Sequence, residues 1–309
     1  EPDRLAELYV ELATPKGAYV GAHRGVGRSF RQVLADLERG VSPRLTGQTS
    51  AGIGAAMRIA PVALYFNGDP DGMFDAVMNA SLMTHRDIRS LAGAMAVAHA
   101  VRRLAAGASR DPSILLWLAA DVAREENRIA DRYADRVSSL DLHRRSLSRS
   151  VAHAESLLDL PRERALATLV EEANRHGAEP ACRRATMGFP PACIPTCLYL
   201  LMTTDSLEEA LIEVVNLGGD ADTTGAILGA LAGAHYGVAA IPDRWLDGLQ
   251  NRGAIDFRAR ALARRSAEGF DIPDLIGTEH ALSAQESACR ERLLILAQNG
   301  GDLGANRRH

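Results

Sequence analysis

The amino-acid sequence predicts an all-α fold arranged as a single compact helical domain. Apolar residues recur at the spacing of an α-helix along most of the 309 residues, and no stretch shows the alternation of a β-strand. Hydrophobic residues make up 47% of the chain but aromatic residues only 5%, a balance that favours closely packed helices over a sheet sandwich. Because no linker divides the chain, we expect a helical domain over residues 1–270 and a polar extension over residues 271–309.

The predicted helices follow this periodicity and the local start and stop signals. Gly40 marks a helix end, Pro112 occupies a first helical position, and Ser206 with Glu209 forms a capping box. The final residues, 299–309, are predicted to be frayed or disordered. Besides the glycine-rich helix described below, the predicted helices cover residues 2–13, 28–39, 51–66, 72–83, 87–106, 111–133, 142–158, 162–176, 192–203, 206–217 and 252–269, with an irregular loop over 177–191.

Composition and charge argue against two classes of partner. The formal net charge is −4 and no basic block exceeds a few residues, so a nucleic-acid-binding surface is not indicated. The longest apolar stretch, residues 226–241, is too short and too rich in glycine for a transmembrane helix, and no signal peptide is visible. We therefore expect neither a membrane nor a nucleic acid as partner.

The four cysteines, Cys182, Cys193, Cys197 and Cys289, show no disulfide framework. Cys193 and Cys197 are spaced one helical turn apart in an apolar run without a nearby histidine–cysteine cluster, which favours buried thiols over the alternative of a zinc site. Unpaired cysteines are typical of a reducing compartment, so we expect a cytoplasmic protein.

The most informative motif covers residues 218–237. Two glycines precede Asp220, Asp222 and Thr223, which offer hard oxygen ligands at the start of a helix of small residues. The helix macrodipole and the free N–H groups at this position favour and orient negative charge. Two carboxylates and a hydroxyl suit Mg²⁺, Mn²⁺ or Ca²⁺ better than Zn²⁺. An N-capping box is the alternative, but no basic residue lies within ten positions of these three on either side, which favours a metal site.

The same helix carries glycine at every fourth position. Gly225, Gly229, Gly233 and Gly237 therefore fall on one helical face. Glycine destabilises a helix by roughly 1 kcal/mol relative to alanine. Four glycines on one face predict that another part of the molecule approaches this backbone closely.

A second glycine-bearing motif covers residues 50–58. Its small residues would let backbone N–H groups face an anionic ligand, helped by the N-terminus of the following helix. A plain glycine-bearing helix start is the alternative interpretation. Arg58 would bind either a phosphate or a structural carboxylate. Further along the chain, His85 lies between two predicted helices, where it would contact a ribose or phosphate, or serve as a capping or packing residue.

Together and in this order, these motifs resemble those of the ADP-ribosylglycohydrolase family. Residues 218–237 resemble the family's C-terminal Gly-Gly-Asp-x-Asp-Thr signature, residues 50–61 its Ser-x-Gly-Asn-Gly-x-x-Met-Arg loop, and residues 82–87 its Thr-His segment. The resemblance implies an all-helical fold with a cleft for two divalent cations, usually Mg²⁺, with Mn²⁺ as an alternative. It also implies hydrolysis of the bond between the distal ribose of ADP-ribose and an acceptor.

The resemblance assigns roles by position. The C-terminal half of the metal site would consist of Asp220, Asp222 and Thr223. Phe189 would either stack on adenine or belong to the core. No catalytic acid or base is assigned, and the implied partner is ADP-ribose or an ADP-ribosylated acceptor. The implied substrate-binding residues are Ser50, Ala51, Gly52, Ile53, Gly54, Met57, His85, Gly188 and Phe189.

Two departures from the family pattern affect these expectations. The family's upstream Gly-Asp-Ala-x-Gly and Thr-Asp-Asp-Thr motifs, the second of which supplies the other half of the metal site, do not occur in residues 1–309. In addition, Ile53 stands where the family usually has asparagine. Either a preceding segment lies outside this numbering, or the protein has half a metal site. The corresponding alternative function is a catalytically inactive ADP-ribose-binding or structural protein on the same scaffold.

Overall fold

Helices form almost all of the regular structure. The computed structural model describes residues 1–14, 21, 26–271 and 274–298. Within these ranges no residue belongs to a β-strand, and the prediction of a single all-α domain is confirmed. None of the helices in the same ranges is long and apolar enough to span a membrane. The α-helices are α1 (Pro2–Ala13), α2 (Arg28–Glu38), α3 (Ala60–Tyr65), α4 (Pro70–Leu82), α5 (Ile88–Ala105), α6 (Ser113–Tyr133), α7 (Leu140–His143), α8 (Ser146–Glu155), α9 (Arg162–Arg175), α10 (Pro190–Thr203), α11 (Leu207–Asn216), α12 (Ala221–Tyr236), α13 (Asp243–Gly248), α14 (Arg252–Arg264) and α15 (Leu275–Gln298).

Helix α5 lies at the centre of the molecule, and fifteen of its eighteen residues are buried. Alanine, the best helix former, recurs along it, and the Asp87 side chain caps its first turn by accepting from the Arg89 N–H at 2.9 Å. Small side chains let neighbouring helices approach closely, since a Cβ at Gly93 would lie 2.9 Å from Ile194 Cδ1 of α10. Helices α3, α4, α6, α8, α10 and α12 pack against α5 and share one continuous apolar core with it.

The predicted helix over residues 51–66 is interrupted in the structure. Residues 51–55 form a loop and a 3₁₀ turn covers Ala56–Arg58 before α3 begins. A run of small apolar residues carries no period that separates loop from helix. The interruption has two physical causes. Pro61 starts a new helix from its first turn, and the loop backbone packs against the His85 ring.

The predicted helix over residues 142–158 is two helices, α7 and α8, separated by two arginines. Glu126 of α6 explains the break, because its Oε1 accepts hydrogen bonds from the N–H groups of Leu147 (3.1 Å) and Ser148 (3.3 Å). These N–H groups belong to the first turn of α8 and have no partner inside that helix. A carboxyl group from another helix therefore fixes the point at which α8 starts.

We expect Glu126 to make the stability of the protein depend on pH. Burial raises the pKa of its carboxyl group from 4.5 to about 7, although hydrogen bonds from Ser148 and Leu147 oppose this rise. Because the folded-state pKa is the higher one, this contribution to stability is fully present below about pH 4.5 and is lost as the pH rises through about 7. The substitution Glu126→Gln keeps the accepting oxygen and removes the titration, so it should reduce that loss.

Urea unfolding at about pH 5 and about pH 8 measures this effect. Between these conditions we expect the wild type to lose up to about 3 kcal/mol more stability than Glu126→Gln. Glu163→Gln is the control, because Glu163 is an exposed carboxylate in the first turn of α9. Equal losses in the wild type and in Glu126→Gln would show that Glu126 does not titrate in this range.

The stretch predicted as a polar extension contains a helix that sequence reasoning missed. Helix α14 ends at Arg264 and is followed by Arg265, which has a positive φ of 52°. Helix α15 then covers 24 residues and packs against α1. The predicted frayed terminus, residues 299–309, lies outside the described residues, and a domain boundary at residue 270 stays a prediction.

All four cysteines are free thiols, and three of them are buried. Cys193 and Cys197 lie on α10 inside the core, as the apolar sequence around them predicts. The Cys197 Sγ–H group donates to the backbone carbonyl of Thr224 at 3.6 Å. This contact joins α10 to the first turn of α12.

The glycine face of α12 is less tightly packed than the sequence predicts. Helix α11 covers part of this face, where a Cβ at Gly225 would lie 3.6 Å from Val215 Cγ2 and one at Gly229 would lie 3.6 Å from Leu211 Cδ2. Both distances are ordinary van der Waals contacts. A Cβ at Gly233 would meet nothing within 4 Å. Another helix therefore approaches this face at Gly225 and Gly229, but only at ordinary contact distance, and it does not reach Gly233.

At Gly229 we expect alanine and leucine to have opposite effects on stability. Alanine adds one methyl group at contact distance from Leu211 and should stabilise the helix by about 1 kcal/mol. Leucine would push its branched end into α11, and overpacking of this kind costs about 1–3 kcal/mol. Urea unfolding followed by circular dichroism compares the two variants. A leucine variant as stable as the alanine variant would contradict the packing between α11 and α12.

Candidate active site

The Asp220 side chain is presented by a tight turn in front of α12. Gly218 and Gly219 have positive φ angles of 68° and 75°, in the left-handed region that glycine occupies at little cost. The Asp220 carbonyl then accepts the Thr224 N–H at 3.0 Å, which starts the hydrogen-bond ladder of α12. The backbone of this turn therefore requires the glycine pair of the motif.

Two acidic side chains, Asp220 and Asp222, meet at the start of α12. Burial raises the pKa of the Asp220 carboxyl group. The backbone N–H of Thr223 donates to Asp222 Oδ1 at 2.8 Å and lowers the pKa of the Asp222 carboxyl group. The interaction between the two neighbouring carboxyl groups acts in the same two directions. Asp222 is therefore the member of the pair that holds its negative charge most readily.

The donor groups at this position fit a hard divalent cation. Asp220, Asp222 and Thr223 offer two carboxyl groups and a hydroxyl, and Mg²⁺ is commonly bound through one or two carboxylates while it keeps several waters. Within the described ranges, no cluster of three or more His, Cys, Asp or Glu side chains suits a metal ion. These three side chains are therefore of the donor types that would suit such an ion, and they would supply only part of its ligand set.

The loop of residues 50–54 rests on the imidazole ring of His85. A Cβ at Gly52 would lie 3.0 Å from His85 Nε2, and one at Gly54 would lie 3.1 Å from His85 Cε1. Glycine at both positions therefore lets the loop backbone lie directly against the ring. On its other side, His85 Nδ1 is 2.8 Å from the Thr84 hydroxyl.

His85 is a neutral, buried group. Burial and the nearby Arg58 guanidinium lower the pKa of its imidazole to about 3. Only 7% of the residue is exposed. The sequence allows a ligand-contacting or a packing role for His85. These contacts support the packing role, because the ring lies against the backbone of the 50–54 loop.

Arg58 fixes the end of the same loop from inside the protein. Its guanidinium donates to the Gly54 carbonyl at 3.0 Å, the Ala80 carbonyl at 3.1 Å and the Thr84 hydroxyl at 2.5 Å. Burial lowers the pKa of this guanidinium. Its partners in the described residues are thus two carbonyls and a hydroxyl, and neither a phosphate nor a carboxylate is needed to explain its position.

A cleft of about 590 Å³ opens beside the 50–54 loop. It brings together two segments that are far apart in sequence, since residues 50–52 line one part and Gly188 and Phe189 line another. Ile53 is buried behind this wall. Met57 lies exposed on the 3₁₀ turn, outside the lining of the cleft. Residues that line the cleft without having been singled out in the sequence include Ser29, Arg89, Ser139, His143 and Gly177.

Gly188 lies between this cleft and the Asp220 carboxyl group, whereas Asp222 lines a separate pocket beside α11. A Cβ at Gly188 would lie 2.5 Å from Asp220 Oδ2 and 3.8 Å from Ile53 Cγ2. The Asp220 carboxyl group, the 50–54 loop and the Gly188 backbone therefore meet at one point. Ile53 offers an apolar methyl group there, so the loop supplies no side-chain amide at this point.

Arg89 is the main site residue that sequence reasoning missed. Its Nε and Nη2 atoms donate to the two oxygens of Asp87 at 2.8 and 2.7 Å. Its Nη1 donates to the carbonyls of His176 (2.8 Å) and Gly177 (2.9 Å). The guanidinium carbon also lies 5.3 Å from the centre of the Phe189 ring. The Asp-x-Arg spacing at a helix start could have indicated the pairing of Arg89 with Asp87. Nothing in the sequence indicates its distant carbonyl partners.

Phe189 belongs to the core and also reaches the cleft. Only 7% of the residue is exposed, and it belongs to a small apolar cluster with Ala173, Cys182 and Ala192. It nevertheless lines the cleft. The Arg89 guanidinium beside the ring provides a cation–π contact that fixes its orientation towards the cleft.

Comparisons with known proteins show which family this chain resembles. The model of the ADP-ribosylglycohydrolase family matches residues 1–271. Over 76 residues the chain is 45% identical to the ADP-ribosyl-dinitrogen reductase glycohydrolase of Rhodospirillum rubrum, a match covering 25% of this chain and 26% of that protein. Over 251 residues it is 28% identical to ADP-ribosylhydrolase ARH3 of Mus musculus, covering 79% of this chain and 66% of the mouse protein.

A solved structure extends the comparison to three dimensions. A chain of an ADP-ribosylglycohydrolase-related protein complex is similar with a TM-score of 0.58 and 27% sequence identity, covering 86% of this chain and 73% of that chain. By sequence, the chain spans just under two thirds of the length of the mouse relative. Because the family model matches most of its length, the protein belongs to the ADP-ribosylglycohydrolase family.

Proposed function

We propose that the protein hydrolyses the glycosidic bond between ADP-ribose and an acceptor, and so removes ADP-ribosylation. The observation that carries this proposal is that Gly188, which lines the 590 Å³ cleft, lies against the Asp220 carboxyl group and beside Ile53. Ligand-binding clefts are commonly about 300–1,000 Å³. A ligand that reaches the Gly188 wall of this cleft would therefore lie close to the Asp220 carboxyl group.

The walls of the cleft suit a nucleotide-like ligand. Phe189 supplies an aromatic ring, held by Arg89, whose charge is already neutralised by Asp87. The loop of residues 50–54 supplies backbone N–H groups and little side-chain bulk, which suits a pyrophosphate or a ribose. His85, neutral and buried, supports that loop without adding charge.

Asp220, Asp222 and Thr223 would hold the divalent cations of the reaction, either two Mg²⁺ ions or Mn²⁺ in their place. When bound, such ions polarise ribose hydroxyls and lower the pKa of a bound water. The contribution of this chain is to orient the two carboxyl groups. The Gly218-Gly219 turn positions Asp220, and the Thr223 N–H keeps Asp222 ionised.

The partial ligand set favours a second candidate function. Three oxygen ligands from one turn would also be compatible with a catalytically inactive ADP-ribose-binding or structural protein on the same scaffold. The two candidates share the cleft and differ in turnover. For both we propose a cytoplasmic location, which the four free thiols support, and ADP-ribose or an ADP-ribosylated acceptor as partner.

Hydrolysis in the presence and absence of divalent cations tests the proposal. We expect release of ADP-ribose from an ADP-ribosylated peptide to be lost in EDTA and restored by excess Mg²⁺. ADP-ribose itself should bind more tightly with Mg²⁺ than without it when measured by calorimetry. Equal hydrolysis with and without EDTA would contradict the metal-assisted reaction. Binding of ADP-ribose without any turnover in Mg²⁺ would support the inactive binding protein instead.

A further inference from the structure

Thr186 occupies an unusual position beside the turn that presents Asp220. It is completely buried and makes two hydrogen bonds to this turn. Its hydroxyl donates to the Gly218 carbonyl at 2.6 Å, and its own carbonyl accepts the Asp220 N–H at 3.0 Å. The residue between these two partners is Gly219, where a Cβ would lie 2.7 Å from the Thr186 hydroxyl oxygen.

Residues 187–189, which directly follow Thr186, line one wall of the cleft. Gly188 follows Thr186 by two residues and touches the Asp220 carboxyl group, and the next residue is Phe189. The segment around Thr186 also contacts α10, because the buried Thr196 hydroxyl oxygen lies 3.2 Å from the Ala185 carbonyl oxygen as well as 2.8 Å from the Ala192 carbonyl oxygen of its own helix. Thr186 therefore joins two parts of the site that are more than thirty residues apart in sequence.

We propose that Thr186 is a positioning residue that sets the place of the Asp220 carboxyl group relative to the cleft wall at Gly188. This inference rests on the proposed function, because it assigns Thr186 a role towards the cation that Asp220, Asp222 and Thr223 would hold. Because Thr186 is completely buried, it would contact neither the cation nor the substrate directly. It acts through the Gly218–Asp220 turn, in the way that outer-shell hydrogen bonds orient metal ligands.

Two substitutions at this position separate the hydroxyl group from the volume of the side chain. Thr186→Val keeps the shape but leaves the Gly218 carbonyl without its donor, whereas Thr186→Ser keeps the donor and removes a methyl group. The matched control is Thr204→Val. Thr204 is also buried, and its hydroxyl also donates to a backbone carbonyl, that of Leu200 at 2.7 Å, at the end of α10.

The readouts are the affinity for Mg²⁺ alone, the affinity for ADP-ribose in EDTA, the melting temperature and the rate of hydrolysis. We expect Thr186→Val to weaken Mg²⁺ binding about 10-fold or more. Its affinity for ADP-ribose in EDTA should stay within about twofold of the wild type, since the lost hydrogen bond is on the cation side. Thr186→Ser and Thr204→Val should bind Mg²⁺ like the wild type, even where they lower the melting temperature.

Failure of this inference and failure of the proposed function give different results. Equal Mg²⁺ affinity in Thr186→Val and the wild type, or an equal weakening in Thr204→Val, would overturn the positioning role whether or not the enzyme is active. An equal weakening in Thr186→Ser and Thr186→Val would do the same, because the hydroxyl would then be irrelevant. Absence of hydrolysis in every protein, with the Mg²⁺ affinities still ordered as expected, would overturn the proposed reaction and support the role of Thr186.

Discussion

The substitution Asp222→Asn is expected to abolish cation-dependent hydrolysis, with a loss in kcat/KM of more than about 100-fold. Asp222 has its pKa lowered by the Thr223 N–H and is the carboxylate of the acidic pair that stays charged. Asparagine keeps the shape and the oxygen that accepts from this N–H, so the start of α12 should remain folded. Loss of an outer-shell partner of a metal site costs about 10–100-fold, and loss of a charged ligand should cost more.

Two further variants make this result interpretable. Thr223→Ala should have a milder effect, because a hydroxyl contributes only a neutral ligand. Asp243→Asn should have none, since Asp243 is an exposed aspartate in the first turn of α13. Steady-state kinetics at saturating Mg²⁺, together with circular dichroism, compare the three. Unchanged turnover in Asp222→Asn would show that the motif is a helix cap and no more.

The second large effect is expected from Gly188→Ala, which should reduce activity and leave the fold intact. The added methyl group would lie 2.5 Å from Asp220 Oδ2, so the carboxyl group must move. It is the end of a side chain that can rotate, and the cost in stability should therefore be small. The carboxyl group would be displaced from its place against the Gly188 backbone, and Mg²⁺ affinity and kcat should each fall by about 10-fold or more.

The matched control for this variant is Gly253→Ala. Gly253 lies in the first turn of α14, and a Cβ there would meet nothing within 4 Å. Calorimetric titration of Mg²⁺ and the melting temperature are measured for both variants. A Gly188→Ala protein with wild-type Mg²⁺ affinity would mean that Asp220 does not hold a cation from its position against this backbone.

Much of the fold could be predicted because apolar spacing is regular along the chain. Helices α1, α6 and α9 match their predicted bounds to within two residues. Predictions failed where the deciding group lies elsewhere in the sequence. The segment 51–66 is a loop and two short helical pieces because its backbone meets His85, and α8 starts where Glu126 of α6 caps it. No local pattern contains either partner.

The candidate site divides in the same way. Asp220, Asp222 and the glycines around them could be found because a motif of consecutive residues makes the turn and the helix start. Arg89 and Thr186 could not, since their partners follow 87 and 32 residues later in the chain. Their roles depend on hydrogen bonds to backbone carbonyls. Every residue has a backbone carbonyl, so the sequence does not indicate which one accepts the hydrogen bond. Only the folded arrangement shows which carbonyl is reached.

The composition of the cleft wall has a consequence for how the protein folds. Its lining comes from Ser29, residues 49–52, Arg89, Ser139, His143 and residues 177–180 and 187–189, so long stretches of chain must close before these segments meet. Contacts of this kind form late, because loop-closure entropy opposes them until the rest of the structure is present. A partly folded chain would therefore contain helices and no cleft. Retention on immobilised ADP-ribose would then count fully folded molecules, whereas helical content measured by circular dichroism would overestimate their number.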